Sequence, residues 1–168
     1  MIDINLRAMK TRHHSGISRA TVDHIQALFE IEQRCFPGKT SYSKQQLRHL
    51  ALNANNTCLV ESQGGVVRAF VIATYLRESL TGHVETIDVD PTFRNQGIGL
   101  KLLRAAEADM KQRGMRWSQL EVSEGNKAAL ELYRKAGYEF KETIEGYYMY
   151  EHNGSRNAVR MVKALKVN

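Results

Sequence analysis

The stretch Arg94-Asn95-Gln96-Gly97-Ile98-Gly99 decides how the rest of the sequence is interpreted. It follows a segment typical of a strand, which ends at Asp90-Pro91, and it opens a segment typical of a helix. Two glycines two positions apart let the backbone approach a ligand closely. The free N–H groups of a first helical turn favour an anion, above all a phosphate. The stretch is a candidate phosphate-binding loop, although a glycine pair can also do no more than shape a tight helix entry.

Two familiar phosphate-binding loops do not fit this stretch. A Walker loop requires Gly-Lys-Ser/Thr at its end, and that sequence is absent here. A dinucleotide fingerprint requires a third Gly or Ala where this chain has Leu102. The candidate loop therefore belongs to neither of these classes.

The segments around the loop alternate between helical and extended patterns. Apolar residues at spacings of three and four predict helices; these cover Thr21 to Arg34, a shorter segment after Ser43, Gly97 to Arg113, and Asn126 to Ala136. β-rich runs bounded by turn residues predict strands; these cover Thr57 to Ser62, Val66 to Tyr75, His83 to Val89, Trp117 to Val122, Tyr138 to Thr143, and Asn157 to Ala164. Gly64-Gly65 predicts a hairpin turn between the first two strands. Strands followed by strand–helix–strand units imply a mixed sheet with helices on its faces.

The helix that follows the loop carries an apolar stripe that we expect to be buried. The predicted helices also carry two candidate ion pairs. Leu102, Leu103, Ala106 and Met110 fall on one face at helical spacing. Glu107 with Lys111, and Glu131 with Lys135, have the i,i+4 spacing that supports a helix.

Composition bounds the class of protein. The 168 residues are the length of one domain, and we expect residues 1–168 to form a single domain. No stretch of 18 apolar residues predicts a membrane span, and the first twelve residues lack a signal-peptide core. Only Cys35 and Cys58 are present, so a reducing cytoplasm is the expected location. The net charge of +6 is compatible with nucleic acid, an acidic protein or an anionic small molecule.

Three ordered motifs resemble those of the GCN5-related N-acetyltransferases, the GNAT superfamily. Arg94-x-x-Gly97-x-Gly99 resembles its acetyl-CoA loop, and Asn126-x-x-Ala129-x-x-Leu132-Tyr133-x-x-x-Gly137-Tyr138 is similar to its second signature. The strand Val84 to Pro91 also matches. The resemblance implies an α/β (α+β) GNAT fold: a single mixed, mostly antiparallel central sheet of about seven strands, flanked by about four helices. It also implies a splay between the two central strands for acetyl-CoA.

The resemblance assigns residues to acetyl-CoA as co-substrate. It implies that the pyrophosphate binds backbone amides of the loop and that the pantetheine arm pairs with the edge of the preceding strand. Asn126 matches a cofactor contact, although Asn is also a favoured helix N-cap. The residues implied are Ile87, Asp88, Val89, Arg94, Asn95, Gln96, Gly97, Ile98, Gly99, Leu100 and Asn126. We expect no metal, because the two cysteines fall in no metal motif and His13-His14 lie in a basic, solvated tail.

Two residues match the catalytic pair of the RimI-type ribosomal-protein alanine acetyltransferases. Glu121, twelve residues before Tyr133, matches the general base; a solvent-facing glutamate is the alternative. Tyr133 matches the general acid beside the sulfur; a core aromatic is the alternative. Because a phenol has a pKa of about 10 and a thiol about 8.5, we expect Tyr133 either to hydrogen-bond the leaving sulfur or to have its pKa lowered by cations. Glu85 is a second candidate base and His83 a more distant one.

The same subfamily resemblance implies an acceptor site. Tyr147-Tyr148 matches its paired tyrosines, and Phe36 and Tyr42 lie in the loop that contacts the acceptor, with Glu85 nearby. The subfamily places Trp-Ser soon after Phe-Pro, whereas this chain has a longer loop with Tyr42 in place of Trp. The implied activity is acetyl transfer to a protein N-terminus, with a ribosomal protein among the candidate acceptors. The enzyme is expected to be a monomer or homodimer, without membrane or nucleic-acid partners. The alternatives are acetylation of a small amine or a lysine side chain, and a non-catalytic acyl-CoA-binding module.

Overall fold

The computed structural model describes residues 16–166. The strands are β1 (Gly16–Arg19), β2 (Thr57–Gln63), β3 (Val66–Leu76), β4 (Thr81–Val89), β5 (Trp117–Ser123), β6 (Glu139–Ile144) and β7 (Ala158–Ala164). The helices are α1 (Ile25–Cys35), α2 (Lys44–Leu52), α3 (Ile98–Gln112) and α4 (Lys127–Lys135), with 3-10 turns at Val22–His24 and Pro91–Phe93. The predicted His13-His14 tail lies outside the described residues.

The seven strands form one sheet in the order β1-β2-β3-β4-β5-β7-β6. Neighbouring strands are antiparallel except β4 and β5, which are parallel. The predicted mixed, mostly antiparallel sheet with four helices is therefore confirmed. The sequence did not predict β1, which pairs with β2, because a four-residue strand carries too short a pattern to recognise.

Two apolar clusters cover the two faces of the sheet. One face packs against α3 through Leu102, Leu103, Ala106 and Met110, all fully buried as predicted. The other packs against α1 and α2. Glu131 and Lys135 form the predicted ion pair at 3.4 Å. The predicted Glu107–Lys111 pair is wrong: the buried Glu107 is 2.7 Å from Lys163 Nζ on β7, since its side chain faces the sheet rather than solvent.

The parallel pairing of β4 and β5 is short, and this creates the predicted splay. Its register runs from Thr81↔Trp117 to Val84↔Leu120 and stops there. On its other side, β4 pairs Val84 with Ala73 and Thr86 with Ile72, so Glu85 is an extra residue at a bulge. A bulge bends a strand and re-aims its side chains. The bend therefore lies where β4 separates from β5, and the backbone of β4 beyond Val84 faces a gap. Within residues 16–166, no helix is long and apolar enough to cross a membrane.

Candidate active site

The candidate phosphate loop connects the end of β4 to α3. Gly97 caps α3 with φ of 75°, in the left-handed region that favours glycine. The first backbone N–H that donates within α3 is that of Lys101, and its acceptor is the Gly97 carbonyl. The amides at the start of α3 therefore have no acceptor within the helix. Gly99 serves packing, because a Cβ at this position would lie 3.3 Å from Leu132 Cδ1.

A cavity of about 550 Å³ opens beside this loop. Its walls come from β4, the loop and the start of α4, which is the arrangement an elongated, anionic ligand such as coenzyme A requires. Nine of the eleven predicted cofactor residues line it: Ile87, Asp88, Val89, Arg94, Asn95, Gly97, Ile98, Gly99 and Asn126. Gln96 and Leu100 are not among the lining residues, so the structure does not bring their side chains to this cavity. Asn126 also caps α4, since its Oδ1 accepts from the Ala129 N–H at 3.1 Å.

Arg94 and Cys35 meet in the wall of this cavity. The Arg94 guanidinium donates to the Val89 carbonyl at 3.2 Å and lies 3.5 Å from Cys35 Sγ. Burial, together with the Asp88 carboxyl, raises the pKa of Cys35 to about 11. The cysteine is therefore a neutral thiol at physiological pH, which argues against a thiolate nucleophile.

A second cavity, of about 360 Å³, adjoins the first along α4. Tyr133 and Asn126 line both cavities, so the two cavities share a wall. The predicted catalytic and acceptor residues come together in this second cavity: Phe36, Tyr42, Glu85, Glu121, Tyr133, Tyr147 and Tyr148. Tyr147 and Tyr148 stack edge to face with their centroids 4.9 Å apart.

Glu121 is buried and held by cations. Leu120 and Val122 enter the core on one face of β5, while the Glu121 side chain, only 5% exposed, points into the cavity. It is therefore not the solvent-facing glutamate of the alternative interpretation. Its Oε1 accepts from Arg160 Nε at 2.7 Å, and its Oε2 is 2.5 Å from His83 Nε2. Burial raises the pKa of this carboxyl, but the hydrogen bonds with His83 and Arg160 outweigh burial and lower the pKa to about 2.

His83 joins Glu121 to the second candidate base. Its Nδ1 is 3.1 Å from Glu85 Oε1, which also accepts from the Thr74 hydroxyl at 2.9 Å. Burial lowers the pKa of His83, but the hydrogen bonds to Glu121 and Glu85 outweigh it and raise the pKa to about 9. The hydrogen bond to His83 lowers the pKa of Glu85. The sequence had placed His83 as a distant base, whereas the structure puts it in direct contact with Glu121.

Tyr133 is buried in the wall that the two cavities share. Burial raises its pKa above the usual phenol value, and the Asp88 carboxyl and the Tyr148 phenol add to this rise. Of the two roles predicted for Tyr133, the one that required a pKa lowered by cations is wrong, because burial in the cavity wall raises that pKa instead. A neutral phenol can still donate a hydrogen bond to a leaving sulfur.

Three further residues of the site were missed. Arg160 lies directly opposite Glu121 in the β5–β7 register, a cross-strand pair that cannot be identified without that register. His152 lines both cavities and stacks on Tyr148 with centroids 4.2 Å apart. Glu32 on α1 accepts from the Tyr42 N–H at 2.8 Å. Nothing in the pattern around His152 or Glu32 distinguished them from surface and helix residues.

Asp88 completes the acidic lining of the site. Its side chain is fully buried on β4 and accepts from the Thr86 hydroxyl at 2.8 Å. Burial and the nearby Glu32 carboxyl raise its pKa well above the usual range. Among residues 16–166, no group of three or more His, Cys, Asp or Glu side chains is arranged to hold a metal ion.

Comparison with known proteins gives a consistent picture. The [ribosomal protein bS18]-alanine N-acetyltransferase of Escherichia coli K12 is 32% identical over 155 residues, which cover 90% of this chain and 98% of that protein. The N-terminal acetyltransferase A complex catalytic subunit NAA10 of Arabidopsis thaliana is 31% identical over 136 residues, covering 79% of this chain and 70% of that protein. The crystal structure of the ribosomal-protein-S18-alanine N-acetyltransferase from Escherichia coli superposes with a TM-score of 0.78 at 26% identity, covering 89% of this chain and 92% of that one.

The family assignment rests on sequence and fold together. The acetyltransferase (GNAT) family model matches residues 25–138, from the first residue of α1 to the end of the α4 motif. That range contains the loop, the splayed strands, Glu121 and Tyr133. The chain is thus an N-acetyltransferase that belongs to the GNAT family.

Proposed function

We propose that this N-acetyltransferase transfers the acetyl group of acetyl-CoA to the N-terminal α-amino group of a protein or peptide. The observation that carries the proposal is that Glu121, Tyr133 and the Tyr147–Tyr148 pair line one cavity next to the phosphate loop. A base, a hydrogen-bond donor for the leaving sulfur and an aromatic wall for the acceptor therefore face one another. The Escherichia coli and Arabidopsis relatives are named for acetylation of alanine of a ribosomal protein and of N-termini, which supports this acceptor class.

Acetyl-CoA supplies an activated acetyl thioester, and the chain's own residues bind and orient it. We propose that the amides at the start of α3, with Asn95 and Gly97, hold the pyrophosphate. The backbone of Ile87 to Val89, which faces the gap between β4 and β5, pairs with the pantetheine arm. A backbone N–H of this segment stabilises the developing oxyanion. Tyr133 donates a hydrogen bond to the sulfur as the C–S bond breaks.

The acceptor amine enters beside Glu121. An α-amino group has a pKa of about 7.7–8.0, against about 10.4 for a lysine side chain. A modest base is therefore sufficient for an N-terminus at neutral pH, whereas a lysine demands far more. Phe36, Tyr42 and the Tyr147–Tyr148 pair enclose the residues that follow the amine.

We further propose that residues 1–168 form a single domain, with a cytoplasmic location and a monomeric or dimeric state as predictions.

The decisive experiment compares amines within one peptide. We would incubate the protein with acetyl-CoA and peptides that carry both a free N-terminus and an internal lysine, and locate the acetyl group by tandem mass spectrometry. The proposal predicts acetylation of the α-amino group. Acetylation confined to lysine, or turnover only with polyamines, amino acids or antibiotics in a parallel thiol-release assay, would refute it.

A matched pair of variants tests the assigned base. Glu121→Gln should lower kcat by about 10²- to 10⁴-fold, the usual contribution of a general base. Glu131→Gln, which removes an exposed glutamate of α4, should leave kcat unchanged. Acetyl-CoA binding without turnover of any amine would favour a non-catalytic binding module instead.

A further inference from the structure

His83 lies in a chain of three side chains beside the acceptor cavity. Glu121 Oε2 is 2.5 Å from His83 Nε2, and His83 Nδ1 is 3.1 Å from Glu85 Oε1. The exposed fractions of these side chains rise from 5% for Glu121 to 18% for His83 and 26% for Glu85. Glu121 and Glu85 line the cavity, while His83 lies between them.

Glu121 alone is poorly suited to remove a proton from an amine. Arg160 and His83 hold its two oxygens and lower its pKa to about 2. An α-ammonium group has a pKa of about 8, and each pKa unit is a tenfold factor. While His83 carries its proton, transfer from the amine to Glu121 is therefore strongly unfavourable. The imidazole behind it is the stronger base, with a pKa raised to about 9.

We propose that His83 is the group that finally holds the acceptor's proton, receiving it through Glu121, and that Glu85 fixes the imidazole ring for this task. The inference deepens the proposed function and rests on it. When Glu85 accepts the Nδ1–H, the lone pair of Nε2 faces Glu121 Oε2. Thr74 in turn donates to Glu85, which keeps that carboxylate in place. Glu85 is a positioning residue in this scheme, whereas Glu121 contacts the amine.

Deprotonation of the amine comes before its attack on the thioester. An N–H bond of the α-ammonium breaks, its proton passes through Glu121 to form the Nε2–H bond of His83, and the electron pair stays on the amine nitrogen. That nitrogen forms a bond to the thioester carbon, the C–S bond breaks, and sulfur keeps the electron pair. A second proton of the nitrogen passes to sulfur, so free thiol leaves. His83 then returns its proton to water.

The groups that face this chain set its pH dependence. Arg160 on β7 contacts Glu121 and also pairs with Glu142 on β6. Tyr147 and Tyr42 face the two carboxylates, and burial raises the pKa of both phenols, so they stay neutral below pH 10. Tyr148 stays neutral as well, because burial raises its pKa. Since the acceptor ammonium titrates at about pH 8, a titration near pH 9 belongs to His83.

The test measures kcat at saturating peptide and acetyl-CoA from pH 6 to 10. The wild-type kcat should rise about tenfold per pH unit and level off near pH 9. His83→Gln should lower kcat by at least 100-fold at pH 8 and abolish the rise, and free imidazole should restore part of the rate in His83→Ala. Glu85→Gln should move the midpoint to lower pH, while Glu131→Gln should match the wild type. A His83→Gln enzyme within threefold of wild type, or one that keeps the same pH limb, overturns the proposal.

A second measurement needs no turnover. NMR of the ¹⁵N-labelled imidazole should show His83 titrating near pH 9 in the wild type and at lower pH in Glu121→Gln. If the His83 imidazole does not titrate between pH 8 and 10, the relay is overturned, even where no activity can be measured. The relay assay works with any amine that the enzyme accepts. A peptide panel that refutes N-terminal acetylation therefore does not decide whether His83 takes the proton.

Discussion

The contacts of His83 predict that the stability of the protein falls in a defined pH window. Folding raises the pKa of His83 from 6.5 to about 9 because Glu121 and Glu85 bond the charged imidazole. The folded state therefore binds this proton more tightly than the unfolded chain does. The stabilisation is complete below pH 6.5 and is lost as the pH rises through 9.

The size of the effect follows from the pKa difference. A rise of about 2.5 units, at about 1.4 kcal/mol per unit, corresponds to about 3 kcal/mol of stability. Between pH 6.5 and 9 the folded state binds about one proton more than the unfolded chain. The free energy of unfolding should fall by about 1.4 kcal/mol per pH unit from this group alone. The pKa of Glu121 reports the same contact from the other partner, so the two shifts are not added.

The assay is urea unfolding at pH 6.5, 7.75 and 9, with the wild type, His83→Gln and His49→Gln compared at each pH. His49 is an exposed histidine of α2 and serves as the control. The wild type and His49→Gln should lose about 3 kcal/mol more than His83→Gln across this range. Equal losses in all three proteins would refute the contacts assigned to His83, since every other titrating group is common to them.

Three further perturbations follow from particular contacts. Tyr133→Phe should lower kcat by about 10- to 100-fold with little change in the KM for acetyl-CoA, as expected for loss of one hydrogen bond to a charged leaving group; an unchanged kcat in a thiol-release assay would contradict the role. Gly125→Ala would place a Cβ 2.0 Å from the Asn153 carbonyl oxygen, so we expect a lower Tm and a weakened acetyl-CoA affinity in calorimetry, because Asn153 lines both cavities. Asp109→Asn removes a carboxylate that pairs with two arginines and accepts from two hydroxyls, and should cost about 3 kcal/mol in urea unfolding, whereas the exposed Glu78→Gln should cost little.

The architecture was readable from the sequence because its signals are local. The apolar stripe of α3 and the Asn126 cap specify their helices without reference to the rest of the chain. The splay was expected only through family resemblance. No local pattern marks the bulge at Glu85, since a bulge is defined by its pairing to β3.

The electrostatics of the site were not readable for the same reason. Glu121 was singled out by motif, but its cationic partners come from strands distant in sequence. Arg160 approaches across the β5–β7 register and His83 from the neighbouring parallel strand. Without these two residues Glu121 would be an ordinary carboxylate, and with them it is a weak base that requires a partner. The missed residues therefore change the chemistry of a residue that was identified correctly.

The geometry of β4 places binding and proton transfer at one point of the sheet. Where β4 leaves β5 after Val84, its backbone loses its sheet partner, and an unpaired backbone in a cavity favours a ligand that supplies hydrogen bonds. Glu85 lies at the bulge, with its Oε1 3.1 Å from His83 Nδ1, and Glu121 is the first residue of β5 beyond the pairing. The gap in strand pairing thus exposes the edge proposed to bind acetyl-CoA, and the carboxylate–imidazole chain lies beside it. Extending the parallel pairing of β4 and β5 beyond Val84 and Leu120 would close this gap, so acetyl-CoA binding is expected to be lost.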